Sequence, residues 1–154
     1  MKSRLILLAL VAIAATGCKK EATREKIEDK DISMVPTVQE DCYAYKKDGN
    51  TIYMRLKKDN TTTVKGDLEY AFSEKDANKG TFEGTVKGDT LIAMYTFTSE
   101  GVESKREVAF LIKDKTLIEG YGEVEEHDSA VAFKNRSKLV FNSNMPLTKV
   151  DCKK

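Results

Sequence analysis

One histidine, three cysteines and a net charge of +1 leave this 154-residue chain short of several kinds of chemistry. A single imidazole and three thiols exclude multi-histidine zinc sites and any cysteine-rich metal scaffold. With Lys+Arg 26 against Asp+Glu 25, there is no bulk field to collect nucleic acid. No GxSxG elbow supplies a serine nucleophile, and no glycine-rich loop precedes a helix to cradle phosphate. His127 lies in a Glu-Glu-His-Asp loop and reads as solvated. Carboxylates are abundant, but Glu119 and Glu123 fall on one face of one strand, with no cleft between them. The chain therefore reads as a non-catalytic protein, with no catalytic residue, metal or cofactor to name.

Long hydrophobic runs are also missing. The longest, residues 5–15, has 11 apolar residues, whereas a helix needs roughly 20 to span a bilayer. Lys2 and Arg4 precede this run, and Ala15, Thr16, Gly17 and Cys18 follow it, the order of a secretory signal. The first 18 residues resemble the lipobox of bacterial lipoproteins. That resemblance implies cleavage after Gly17 and acylation of Cys18, with palmitate-type chains anchoring the protein to a membrane of the bacterial envelope. The outer membrane is the expected location, on its periplasmic side or at the cell surface. Two or three acyl chains hold a protein on a bilayer far more firmly than one. The alternatives are an ordinary cleaved signal with Cys18 left as a free thiol, and an uncleaved anchor.

Removing residues 1–17 leaves 154 − 17 = 137 residues and takes away two cations, so the net charge becomes +1 − 2 = −1. An exported chain meets an oxidising compartment, and its two remaining cysteines, Cys42 and Cys152, permit only one pairing. A Cys42–Cys152 disulfide is expected, tying the first strand to the last. Residues 19–40 (KKEATREKIEDKDISMVPTVQE) mix charges of both signs and have little to bury, so 18–40 reads as an acylated cysteine followed by a flexible tether.

From 41 to 154 the pattern changes to period two, with turn residues every 8–12 positions, as in an all-β meander. Strands are expected at 42–47, 51–58, 62–72, 81–87, 90–98, 102–112 and 116–124, with shorter ones at 131–133, 138–142 and 147–152. Asp48-Gly49, Gly88-Asp89 and Glu100-Gly101 carry hairpin-turn chemistry. Two-residue turns at Gly88-Asp89, Glu100-Gly101 and Asp114-Lys115 set a register. Phe82 then faces Tyr95, Tyr95 faces Arg106, Leu91 faces Phe110, Phe110 faces Glu119, Val108 faces Tyr121 and Arg106 faces Glu123. All three hairpins put the same apolar set on one face, as a buried face requires. Eight to ten strands, each beside its sequence neighbour, predict an antiparallel up-and-down barrel, and inward Gly66 and Gly84 help it coil. A β-sandwich is the alternative. The barrel is lipocalin-like in architecture only, since a chain with no Trp cannot carry the Trp-containing opening motif of true lipocalins.

The register leaves one polar row on the apolar face: Phe82, Tyr95, Arg106 and Glu123, with Glu119 and Tyr121 nearby. A buried Arg needs a partner, and Glu123 is placed to be one. The bland interpretation is a satisfied internal ion pair near the barrel mouth. The functional one is a small-ligand pocket in which Arg106 anchors an anionic group among Tyr95, Glu119, Tyr121 and Glu123. In the loop at 73–80, Asp76 and Asn78 are spaced like the start of a calcium loop. Thr81 and Lys87 occupy the positions that need Gly and Glu, so a polar hairpin connector is expected there. The segments EKDANKGTFEG and SEGVESKREVAF resemble motifs in a group of small envelope lipoproteins; the likeness covers about residues 65–125 and brings a domain type without an activity. The sequence thus predicts an anchored, non-catalytic binding module for a small ligand. The alternative is a structural or protein-interaction component of the envelope.

Overall fold

The structure, a computed structural model, describes residues 38–59 and 61–153. The expected leader, Cys18 and the expected tether up to residue 37 lie outside the described residues. Ten strands follow one another: Gln39–Lys47 (β1), Asn50–Lys58 (β2), Thr63–Ala71 (β3), Asn78–Lys87 (β4), Thr90–Ser99 (β5), Val102–Lys113 (β6), Thr116–Gly120 (β7), Val124–His127 (β8), Ala130–Phe133 (β9) and Leu147–Val150 (β10). A 3-10 turn at Arg136–Lys138 lies between β9 and β10. The last two residues of the expected tether, Gln39 and Glu40, belong to β1.

Strands β1 to β7 pair in sequence order, β10 lies between β7 and β1, and β5 pairs β6, so eight strands close a ring. Closure leaves no edge among those eight, and the sandwich alternative is not what forms. The ring's joints are unequal. β5 and β6 pair from Thr90↔Leu111 to Ser99↔Val102, whereas β7 and β10 share only Leu117↔Leu147 and Thr116↔Thr148. The hairpin β8–β9 is an excursion between the seventh and eighth barrel strands. It attaches by a parallel pairing of β9 to β6 at Lys105↔Ala130 and Arg106↔Val131.

The turn residues act as their chemistry dictates. Asp48 and Gly49 both have positive φ (51° and 76°), as do Glu100 and Gly101 (50° and 79°). That is the backbone a two-residue hairpin needs if its twist is to match that of its strands. Register follows: Phe82↔Tyr95, Tyr95↔Arg106, Leu91↔Phe110 and Phe110↔Glu119 all form as the sequence predicts. The inward set, including Ile52, Met54, Leu56, Leu68, Phe110 and Leu117, is at most 1% exposed. Gly66 and Gly84 sit where a Cβ would lie 1.8 Å from the Arg55 carbonyl oxygen and 2.1 Å from that of Ile92. Only glycine lets neighbouring strands approach this closely, which is how the sheet curls tightly enough to close.

At the end of the barrel where β1 begins, Asp41 points inward and is 6% exposed. Lys149 Nζ lies 2.6 Å from its Oδ1 and Lys58 Nζ 3.6 Å from its Oδ2. The Lys149 hydrogen bond holds the Asp41 carboxyl below the usual carboxylate range. On the outer surface, Cys42 is bonded to Cys152, 110 positions away, as expected. The C-terminal residues thereby lie across β2. Arg55 donates to the Lys153 carbonyl oxygen at 2.6 Å, and Lys153 Nζ stands 4.5 Å from the centroid of the Tyr53 ring.

One expected strand does not form as a unit. The stretch 116–124 breaks after Gly120, because the returning segment inserts there: Tyr121 bridges Val140 in place of Val108. A Cβ on Gly120 would lie 2.5 Å from the Phe141 ring, so the aromatic ring takes the space that a side chain would fill. The expected strand at 138–142 is reduced to that one bridge.

Candidate functional site

Where β7 leaves β6, the barrel wall has a lateral slot. A cavity of about 240 Å³ is lined there by Arg106, Glu107, Val108, Glu119, Gly120, Tyr121, Gly122, Val124, Val131 and Phe133. Of the five residues the sequence nominates for ligand binding, Arg106, Glu119 and Tyr121 meet at this cavity, while Tyr95 lies behind it and Glu123 outside it.

Arg106 is placed by its register with Tyr95. Its Cζ stands 4.9 Å from the Tyr70 ring centroid, 5.4 Å from Phe97 and 5.7 Å from Tyr95. The Tyr95 and Phe97 rings stack at 4.8 Å. Faces of aromatic rings attract a guanidinium without occupying the N–H donors along its edge. The cation is therefore held in place while its hydrogen-bonding capacity stays open. Its Nε is buried and has no partner. None of the ion pairs within 4.0 Å among the described residues involves Arg106. Arg55 also has a buried, unpaired Nε, but its guanidinium already donates to Lys153.

The expected Arg106–Glu123 pair does not form. β7 ends at Gly120, Val131 of β9 takes the place beside Arg106, and Glu123 is exposed, its carbonyl oxygen accepting from the Lys134 N–H at 2.9 Å. The reason is physical: the side chains of Phe141 and Leu139 pack onto Gly120 and Gly122, where a continued strand would have run.

Glu119 is 7% exposed, and each of its oxygens accepts a hydrogen bond. Tyr70 donates to its Oε1 at 2.7 Å and Tyr121 to its Oε2 at 3.2 Å. Burial raises the Glu119 carboxyl above its ordinary range, and the two phenol hydrogen bonds and the Arg106 charge only partly counter that. Burial also pushes Tyr70 well up, with the Glu119 charge adding to the effect. Tyr95 is pushed up to about 12, again by burial. Its hydroxyl donates to the Leu68 carbonyl oxygen at 2.8 Å, so it serves the barrel, and its ring supports Arg106.

Three features escape a strand-by-strand reading. Tyr70 is recognisably inward from the alternation in β3, but its approach to Arg106 is a matter of barrel curvature. Phe97 is similarly inward, opposite Ser104. Glu107 belongs to the outward polar set, yet it is 7% exposed, because Phe133 N–H donates to its Oε2 at 3.0 Å and Arg136 to its Oε1 at 2.5 Å. Those two bonds fasten β9 and the 3-10 turn to β6. Among the described residues, no group of three or more His, Cys, Asp or Glu could hold a metal ion. The lone imidazole, His127, is 73% exposed beside Asp128.

No protein-family model, curated protein or solved structure matches this chain.

Proposed function

We propose that this chain is a lipid-anchored protein of a bacterial envelope whose barrel binds a small ligand through an anionic group on Arg106, without catalysis. The observation that carries the binding is the buried, unpartnered Nε of a guanidinium fixed by three aromatic rings beside an open slot. An unsatisfied buried donor is costly, and an incoming acceptor would relieve that cost. The leader sequence with Cys18 supports anchoring, and the Cys42–Cys152 bond is consistent with an oxidising compartment. Anchoring is tested by fatty-acid labelling, which Cys18→Ala should abolish. Binding is tested by titrating acetate and inorganic phosphate while following the Arg106 Nε–Hε resonance. A saturable shift is expected, with a heat of binding in calorimetry that Arg106→Met abolishes; a resonance unmoved by either anion would overturn the proposal.

A second reading, docking of an envelope protein, draws on four exposed apolar side chains around the slot: Tyr121, Val124, Val131 and Val140 are 46%, 49%, 39% and 56% exposed. It predicts a partner recovered by crosslinking from this rim, with Arg106 indifferent to small anions.

A further inference from the structure

The slot's chemistry is lopsided, and this defines a class of ligand. Among its polar side chains, Glu119 has both oxygens engaged by phenols and Glu107 has both engaged by Phe133 and Arg136. Only Arg106 retains an empty donor. Each oxygen of the two carboxylates lining the slot already accepts a hydrogen bond from the protein. The unfilled capacity therefore calls for one acceptor group bearing negative charge. The rest of the slot is apolar, and it opens onto the exposed side chains of Tyr121, Val124 and Val131. At roughly 30 Å³ for each water-sized group, a cavity of about 240 Å³ holds about eight of them.

We infer that the slot takes an anionic amphiphile: a carboxylate or phosphate head on Arg106, with a single aliphatic chain running out against Val124 and Val131. The inference rests on the Arg106 binding reading and adds the tail. Charge complementarity fixes which end enters. Reversed, the chain would leave the head in solvent and Arg106 still unpartnered. The β8–β9 hairpin supplies the apolar wall, and the Glu107 bonds to Phe133 and Arg136 hold that wall in place.

The test uses the full chain in phosphatidylcholine nanodiscs, with Arg106 Nε–Hε as the reporter and acetate, octanoate, octyl phosphate and 1-octanol as probes. Octanoate or octyl phosphate should bind at least tenfold more tightly than acetate, since each buried methylene strengthens association several-fold. Whichever of the two binds tighter identifies the head. Octanol should leave the resonance in place. Val131→Ser, a change on an exposed side chain that leaves the core alone, should reduce the octanoate-to-acetate affinity ratio at least threefold. Equal affinities for acetate and both octyl anions would overturn the amphiphile while preserving the anion site. Failure of every anion to move the resonance would overturn the binding reading itself.

Discussion

Breaking the bond between Cys42 and Cys152 should be the most damaging single change outside the core. The two residues are 110 positions apart. In the chain-entropy account a loop of that length costs the unfolded chain about 16 cal/mol/K, or about 4.8 kcal/mol at 25 °C. The described barrel has about 115 residues, for which an unfolding entropy of about 2.1 cal/mol/K per residue gives roughly 0.24 kcal/mol/K. A loss of this size therefore lowers the melting temperature by about 10–20 °C, the lower figure applying if the unfolded chain is already compact. Cys152→Ala should show the full effect. Cys42→Ala should cost about 1 kcal/mol more, because Cys42 is 1% exposed and accepts a hydrogen bond from Tyr53. Thermal unfolding followed by far-ultraviolet circular dichroism, on the oxidised chain and both variants, measures this. A drop below about 4 °C for Cys152→Ala would refute the reasoning, since β10 would then be held by its strand pairings alone.

The remaining predictions concern the slot and the curl of the sheet. Burial raises Glu119 in the folded protein, so its contribution to stability falls as pH rises from the ordinary value of 4.5 to the folded one, and is level above that. Glu119→Gln should remove that decline, flattening the melting temperature between pH 4 and 8, and should tighten acetate binding at neutral pH by deleting the opposing charge; parallel pH profiles for the two proteins would count against it. Gly66→Ala should destabilise by about 3 kcal/mol in urea unfolding, because the new methyl meets the Arg55 carbonyl; a loss under about 1 kcal/mol would mean that the strands can move apart freely. Glu107→Ala should strip the partners from the Phe133 N–H and Arg136, so hydrogen exchange should quicken across residues 124–133 while the rate in β3 stays unchanged.

The barrel was legible because its tight turns are self-announcing. Gly88-Asp89 and Glu100-Gly101 each fix a register that propagates along two strands, which is why Phe82, Tyr95 and Arg106 align as expected. The staple was legible by counting, since the two cysteines of the barrel sequence have a single pairing. The Tyr70 ring beneath Arg106 was not legible. Period two says which face Tyr70 occupies, but only the curvature of four strands brings its ring under a guanidinium on β6. Glu123 departs for the opposite reason: period two persists locally through Gly120 and Gly122, where the chain has already turned to receive Phe141 and Leu139. Glu107 shows the same limit, its polar outward position hiding a carboxylate buried by a hairpin 26 residues further along.

The short joint between β7 and β10 has a mechanical consequence. Just beyond β10 a covalent bond ties the chain to β1; on the other side, two residue pairs with β7 and one hydrogen bond, from the Lys149 N–H to the Lys115 carbonyl oxygen at 2.8 Å, hold it. Thermal excursions of the cylinder should thus concentrate in a single seam, with β7 swinging outward while β10 stays welded to its neighbour. Glu119 sits on β7 and lines the same cavity as Arg106, so an opening at that seam would also widen the doorway to the guanidinium.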